Sequence, residues 1–460
     1  MRIFAPSAKQ VSRRTVENYR PSSHIESVPD EILMCVMQLA VSGPGLPRSS
    51  FSSALKLSHV SRRFRFIAHN TSELWIVICP KFPLVCDQVL FWSDVLARSR
   101  ARLIDVVINA EVDLRGTIQP YATFLRAVVR HSNRWRKLEI MSKTWEPIDL
   151  FLGQSRRLVL LPRLEELTLH HSEDPGRTAN RGYEDLTRRF HNILFGDDVV
   201  APMFKIIKLG ATYFDYSRMQ SLAKDLTELH FENHTYPRTS DIPEVIIDVL
   251  RASSRLQVLT FTSLDVEFDH WPQPVELHHL RRLEFRGTPR SALNLLSLLR
   301  VPSLEILRLG ECRFAIADLK TATTLLAFAA DTTITVLLGF FTSPAGTRWY
   351  WRAGGLMELS LEYTHCRAQG VERLLRLTLN VETLHMSSSA IFPILTNNPE
   401  ILPNLRHWVV KSSIFCPPHP FSAILSDRPG VTLSVEGDLT QDSEHLYNAL
   451  KDTHNITLRV

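Results

Sequence analysis

The chain has 460 residues, of which 44% are hydrophobic and 22% charged, and this composition is typical of a soluble folded protein, not of a disordered one. The length exceeds that of one ordinary globular core, so we expect two or more domains or an extended repeat array. The 53 basic and 48 acidic residues are interleaved, which favours a mixed solvated surface over the concentrated basic face of a nucleic-acid-binding protein.

Residues 1–24 form a basic arm with five Lys or Arg residues and one acid. We predict an unordered tail, with a transit peptide or a nuclear address as the alternatives. The sequence shows no secretory signal peptide, and even its most apolar long window, residues 323–341, contains Asp331 and five threonines, too polar for a membrane span. Six cysteines lie scattered without a CxxC pair, which favours reduced, mostly buried thiols in a cytoplasmic or nuclear protein.

Residues 25–80 carry the pattern of three short helices. Ser27 as a cap, Pro29 in the first turn and two following acids indicate the first helix. Its apolar stripe consists of Ile32, Leu33, Val36, Met37 and Ala40. One face of the predicted second helix consists of Leu57, Val60, Phe64 and Ile67. The third short element contains Leu74, Trp75, Ile76 and Ile78. Helices this short cannot bury all of that surface alone, so part of it needs a partner.

Three segments of this region resemble the F-box of fungal proteins: residues 28–33, 57–65 and 74–75. The family pattern runs Leu-Pro-x-Glu-Ile-Leu, then Leu-Ser-x-Val-Cys-Arg-x-Trp-Arg, then Leu-Trp. The departures are Val28 for Leu, Ser61 for Cys, Phe64 for Trp, and a Ser/Pro/Gly-rich loop at residues 42–53. The alternative is an unrelated small helical bundle that caps the rest of the chain.

The resemblance implies a partner. F-box proteins bind a Skp-type adaptor, which bridges to a cullin scaffold and a RING subunit. The residues expected to meet the adaptor, or to form the core beneath that surface, are Val28, Pro29, Ile32, Leu33, Val36, Met37, Leu57, Val60, Phe64 and Trp75.

A motif Φ-x-x-Φ-x-Φ, in which Φ is apolar, recurs through the rest of the chain. Its ten copies are 135/138/140, 164/167/169, 204/207/209, 226/229/231, 256/259/261, 280/283/285, 304/307/309, 356/359/361, 381/384/386 and 405/408/410. Most steps lie between 22 and 30 residues, and one step of 52 leaves room for a hidden unit at Leu325, Phe328 and Ala330. Strands of this pattern at about 20 to 29 residues are typical of leucine-rich repeats.

We therefore predict an α/β protein: a small N-terminal helical F-box, then a curved leucine-rich-repeat-like solenoid with parallel strands lining the concave face and helices outside. The predicted boundaries are 1–24 for the arm, 25–80 for the F-box, 81–130 for a helical linker and the first solenoid elements, and 131–460 for the solenoid with its C-terminal cap. Three connecting helices are indicated: one starts at Asp241, one starts at Ser291 and contains Leu296 and Leu299, and one lies within residues 183–193.

Motifs for catalysis, cofactor binding and metal binding are missing from the sequence. Neither His170 with His171 nor His278 with His279 can chelate one metal through both rings, because adjacent residues of a strand point to opposite faces. We predict a non-catalytic protein without a cofactor. The predicted client-binding residues are Trp349, Tyr350, Trp351 and Arg352, residue types that dominate interfaces. The alternative places these rings in the core of the hidden unit.

The function expected from the resemblance is substrate recognition in a Skp/cullin/F-box ubiquitin ligase, with the solenoid binding a protein client. One alternative is a non-ligase interaction scaffold with a divergent F-box. A nucleic-acid-binding solenoid is disfavoured, because the polar motif positions are mixed to acidic. The glutamates at these positions are Glu139, Glu165, Glu166, Glu228, Glu284, Glu305, Glu358 and Glu382. Such a face would suit a basic client.

Overall fold

The computed structural model describes residues 24–42, 50–110, 118–172, 194–196, 199–212, 219–232, 242–264, 274–287, 295–296, 298–311, 356–361, 368–386, 391–411, 419–436, 448, 451 and 455–459. The chain divides into two compact units. The N-terminal unit comprises the residues up to Val77 together with Val95–Arg102. The sheet unit comprises Ile78–Asp94 and the residues from Leu103 onwards.

The N-terminal unit is helical. In chain order it contains the 3₁₀ turn His24–Ser27, helix α1 (Asp30–Ser42), α2 (Ser50–Ser58), α3 (Arg62–Asn70) and the 3₁₀ turn Ser72–Trp75. The predicted single second helix is wrong: the chain breaks at Ser61, whose extended backbone and hydroxyl, accepting from the Phe64 N–H at 3.2 Å, cap α3. Helix α1 begins at Asp30, so Ser27 lies in the preceding turn and not in the position directly before the helix.

One sheet of 14 strands runs through the chain, and its strands follow one another in chain order. They are β1 (Val77–Ile78), β2 (Ile104–Ala110), β3 (Trp135–Ser142), β4 (Glu166–His171), β5 (Ile206–Gly210), β6 (Glu228–Glu232), β7 (Val258–Leu264), β9 (Arg282–Gly287), β11 (Ile306–Glu311), β12 (Glu358–Leu361), β13 (Thr383–Met386), β14 (His407–Lys411), β15 (Thr432–Glu436) and β16 (Ile456–Arg459). Strands β8 (Val275–Glu276) and β10 (Leu299–Arg300) form a second, two-stranded sheet.

The repeated motif sets the register of the large sheet. From β2 to β16 each strand pairs in parallel with the next strand of the sheet. The middle apolar position of one copy lies opposite that of the next, as Leu138 opposite Leu167 and Leu359 opposite Leu384. Every motif side chain that the structure describes is buried. The prediction of stacked parallel strands around one apolar layer is therefore confirmed.

Helices connect several of the strands. They are α4 (Cys86–Arg98), α5 (Ile118–Val129), α6 (Glu146–Ser155), α7 (Met219–Ala223), α8 (Ile242–Ala252), α9 (Ala368–Leu377), α10 (Ile391–Asn397) and α11 (His419–Asp427). The predicted helix after Asp241 corresponds to α8, whose Ile246, Val249 and Leu250 are buried. The prediction that places Leu299 in a helix is wrong, because Leu299 lies in β10 and pairs with Val275.

Other expectations have mixed outcomes. Cys35 and Cys86 are exposed on their helices, so the expectation of mostly buried thiols is wrong for these two. Curvature of the solenoid and the domain boundaries stay predictions. Four predicted features lie outside the described residues: the arm at residues 1–23, the connecting helix at residues 183–193, the hidden unit and the segment of residues 349–352. None of the helices in the described part of the chain has the length and hydrophobicity of a bilayer-spanning segment.

Candidate partner-binding site

The N-terminal unit has a well-packed core of its own. Helix α1 turns Leu33, Met37 and Val41 inward, at intervals of four residues, and all three are buried. Trp75 is fully buried, its indole N–H donates to the Ala68 carbonyl at 2.7 Å, and it belongs to the same unit. Leu33, Met37 and Trp75, predicted as adaptor residues, therefore support the surface from beneath and are not open to a partner.

Two further contacts fix the Trp75 ring. The Arg98 guanidinium lies over the ring, 5.0 Å from its centroid, an arrangement that is electrostatically favourable. The His69 imidazole meets the ring edge-on with the centroids 6.1 Å apart. Burial, together with the positive charges of Arg98 and Arg65, lowers the pKa of His69. A neutral imidazole therefore packs against the tryptophan at neutral pH.

The opposite side of α1 leaves a stripe of apolar residues exposed. Ile32, Val36 and Leu39 keep 52%, 54% and 73% of their surface in contact with solvent. Because they are spaced four and three residues apart, they lie on one face of the helix. Burying three such side chains against a partner would contribute about 1.5 kcal/mol or more each. We call these three residues the α1 stripe.

More apolar surface follows on the next two helices, both of which pack against α1. Val60, in the turn after α2, is 63% exposed, and Phe66 on α3 is 66% exposed. Leu57, Phe64 and Val28 are half-buried, and Pro29 is exposed. Of the ten residues predicted for the adaptor, the structure thus leaves Pro29, Ile32, Val36 and Val60 open to solvent.

One arginine joins α3 to the start of α1. The Arg63 guanidinium donates to the Asp30 carboxylate at 2.7 Å from Nε and 2.5 Å from Nη2. The same side chain donates to the Val28 carbonyl through Nη2 and to the Ile25 carbonyl through Nη1 at 3.5 Å. These bonds hold the residues before α1 against α3 and so fix the position of Pro29 and the α1 stripe.

Leu39, Phe66 and Cys35 are exposed as well, and the sequence reasoning did not select them. Leu39 follows Ile32 by seven residues, the spacing that returns to the same helix face, so the helical period could have indicated it. Phe66 could not be found in this way. The predicted second helix ran through Ser61, and the break there rotates α3 relative to the assumed continuous helix.

The polar face of the sheet is the second candidate surface. Glu166 Oε1 lies 2.9 Å from Lys137 Nζ and 3.1 Å from Lys208 Nζ. Arg308 Nη2 lies 2.7 Å from Glu358 Oε1. Burial tends to raise the pKa of Glu166, but the two lysines outweigh it and lower the pKa overall. This face, expected to be mixed to acidic, carries a row of ion pairs.

The glutamates predicted on that face are mostly compensated. Those with a described cation within 4.0 Å are Glu139, Glu166, Glu284, Glu305, Glu358 and Glu382. Glu228 has the His230 imidazole at 3.4 Å. Within the described residues, no group of three or more His, Cys, Asp or Glu side chains is placed to hold a metal ion. On β4, His171 is buried while His170 lies on the other face, as expected for adjacent strand residues.

Comparison with known proteins yields structural similarity alone. No family model and no curated protein matches the sequence. A chain from the crystal structure of the Rad7 and Elc1 complex in yeast is 13% identical, with a TM-score of 0.36 over 93% of this chain and 92% of that chain. A chain from the TLR13–ssRNA13 complex is 12% identical, with a TM-score of 0.33 over 78% of this chain and 42% of that chain. Similarity at this level carries no functional argument.

Proposed function

We propose that this chain is the substrate-recognition subunit of a Skp/cullin/F-box type ubiquitin ligase. The observation that carries the proposal is the α1 stripe: Ile32, Val36 and Leu39 are exposed on the helix whose sequence resembles the F-box. An apolar helix face of this kind is costly in water and suits burial against a partner. The partner is a Skp-type adaptor.

The proposed role needs no catalytic group on this chain. The adaptor links the N-terminal unit to a cullin and a RING subunit, and the sheet unit binds a protein client. The client lysine then meets the ubiquitin-charged enzyme at a raised effective concentration. The rate gain comes from proximity and orientation.

Binding of a purified Skp-type adaptor to the full-length chain, measured by calorimetry, tests the proposal. The double variant Ile32→Asp/Val36→Asp places two charges in the α1 stripe, and we expect it to bind at least roughly a hundredfold more weakly. The matched control is Val159→Asp/Val200→Asp, which changes two equally exposed apolar residues of the sheet unit. Circular dichroism checks that both variants fold.

Each outcome has a defined meaning. Unchanged adaptor affinity of the folded α1 variant would contradict the proposed interface, and so would an equal loss in the control. Co-purification with a cullin, lost in the α1 variant and kept in the control, supports the ligase. Adaptor binding without a cullin points to the alternative, a non-ligase scaffold with a divergent F-box.

A further inference from the structure

A cavity of about 420 Å³ opens on the polar face of the sheet, over strands β4 to β7. Gly210 lies near its centre, opposite His170 on β4 and Glu232 on β6. The His170 ring lies directly over Gly210, because a Cβ added to this glycine would come within 1.8 Å of His170 Nδ1. The missing side chain thus leaves room for the His170 ring, and Glu232 lies on the other side of Gly210 in the sheet.

Glu232 differs from most glutamates of this face, which lie within 4.0 Å of a lysine or an arginine. Its described partner is His170, whose Nδ1 lies 3.9 Å from Glu232 Oε2, beyond hydrogen-bond distance. Its carboxylate is 52% exposed. Lys208 also lines the cavity, but its ammonium is bonded to Glu166 at 3.1 Å. The cavity therefore presents a carboxylate to which no described lysine or arginine is bonded.

Other side chains that line the cavity add hydrogen-bond acceptors to the Glu232 carboxylate. The Thr168 hydroxyl is buried and has no hydrogen-bond partner among the described residues. Thr262 pairs directly with Glu232 in the sheet register, and Thr260 pairs with His230. Burial, the largest effect, lowers the pKa of His230, so this imidazole is neutral at pH 7. A neutral imidazole adds no positive charge to oppose a cation.

We infer that this cavity binds an arginine side chain of a protein partner. A guanidinium carries five N–H donors in a planar fork and no acceptor, which matches a cavity lined by one carboxylate and three threonines. The carboxylate of Glu232 supplies the charge, and the hydroxyls of Thr168, Thr260 and Thr262 supply further acceptors. The inference rests on the proposed function in one respect: the arginine would belong to the client.

Histidine-edited NMR on the full-length chain tests the inference. The protein carries ¹³C-labelled histidine, and signals are assigned with the single variants His170→Asn and His230→Asn. The probe is N-acetyl-arginine N-methylamide. The citrulline counterpart is the neutral isostere, and the glutamate counterpart is the acidic control. We expect saturable shifts of His170 and His230 with the arginine probe and none with the two controls.

Variants locate the site. Glu232→Gln removes the charge and keeps the shape, and we expect about tenfold weaker binding, the loss of one charge-assisted hydrogen-bonded pair. Glu382→Gln, a glutamate paired with Arg406 and outside the cavity lining, is the matched control and should bind as the wild type does. Gly210→Ala pushes the His170 ring out of place and should also weaken binding.

Three results would overturn the inference: no saturable shift with the arginine probe, an equal response to citrulline, or preferential binding of the acidic probe. The adaptor experiment is independent, because it reads a different partner and a different unit of the chain. Arginine binding by a chain that binds no Skp-type adaptor would support the cavity and contradict the ligase. Adaptor binding without arginine binding would leave the ligase and remove the cavity.

Discussion

At the scale of single residues, Arg63 shows how one side chain can present a surface. Arg62 and Arg63 look equivalent in the sequence, but their contacts in the structure differ. Arg63 meets Asp30 and the carbonyls of Val28 and Ile25, while Arg62 is exposed. An exposed ion pair alone contributes little, and the bonds to backbone carbonyls add to it.

We predict that Arg63→Gln loosens the start of α1. The change removes the charge that faces Asp30 and most of the donors to the two carbonyls, at a cost of about 1 kcal/mol. Amide hydrogen exchange should accelerate in Asp30–Ser42 and Arg62–Asn70, with no change in the sheet. The neighbouring Arg62→Gln is the control. Equal acceleration in both variants would show that general charge loss, not this contact, is responsible.

Single residues of α1 also show how much of the candidate site could be predicted from the sequence. The apolar stripe of α1 was recognisable, yet Ile32 and Leu33 were indistinguishable as types, and one is exposed while the other is buried. Hydrophobicity predicts that a helix has an apolar face. Which residue faces the core depends on the positions of α2 and α3. These helices contact α1 but lie further along the chain, so the local pattern of α1 does not specify where they pack.

At the scale of elements, ion pairs connect neighbouring strands of the sheet in a regular way. Glu166 on β4 lies between Lys137 on β3 and Lys208 on β5. Glu358 on β12 lies between Arg308 on β11 and His385 on β13. The hydrogen bond with His385, then that of Arg308, lowers the pKa of Glu358 against the opposing effect of burial. Each carboxylate thereby links three strands.

This arrangement predicts a defined pH dependence of stability. The pKa values of Glu166 and Glu358 are lowered in the folded state from an ordinary value of 4.5. Their contribution is therefore present above that value and is lost as the pH falls below it, because the unfolded chain binds protons first. We expect Glu166→Gln/Glu358→Gln to be less stable than wild type at pH 7 and to lose less stability on acidification.

Urea unfolding of the two proteins between neutral and acidic pH measures the difference. The control is Glu73→Gln/Glu400→Gln, in which neither carboxylate belongs to the sheet. Parallel stability curves for wild type and the Glu166/Glu358 variant would contradict the lowered pKa values. If only the control lost less stability on acidification than the wild type does, the carboxylates responsible for the pH dependence would lie outside the sheet.

At the scale of the whole molecule, the spacing of one motif predicted most of the sheet. Leu138, Leu167 and Leu259 stand at the same register position on different strands, as a repeat requires. Strand β2 carries the same motif at Leu103, Val106 and Ile108, and Val106 pairs with Leu138, although the sequence reasoning did not select it.

The cavity over Gly210 marks the limit of such reasoning. The sequence offers a glycine in β5 and a histidine in β4, about 40 positions apart, and nothing local connects them. Only the register brings His170 opposite Gly210. Secondary structure follows from short-range pattern, whereas a site of this kind follows from strand pairing, which single residues do not encode.

Repeat architecture also predicts how the molecule should respond to damage. In a stack of units each repeat contacts its neighbours, so stability is approximately a sum of local terms. Leu259 on β7 and Leu433 on β15 occupy the same motif position and are both fully buried. Substitution by alanine leaves a similar cavity and costs about 2 to 5 kcal/mol at either site. The two variants differ in position along the stack.

We expect Leu259→Ala to lower the midpoint of global unfolding more than Leu433→Ala does. A defect near the end lets β14 to β16 fray while the remaining strands keep their neighbours, whereas a central defect has strands on both sides that lose a partner. Chemical denaturation gives the midpoints, and hydrogen exchange should show acceleration confined to β14–β16 in Leu433→Ala. Equal midpoints with uniform exchange would mean that the sheet unfolds as one cooperative block. The repeats would then share one structure without contributing separately to the free energy of unfolding.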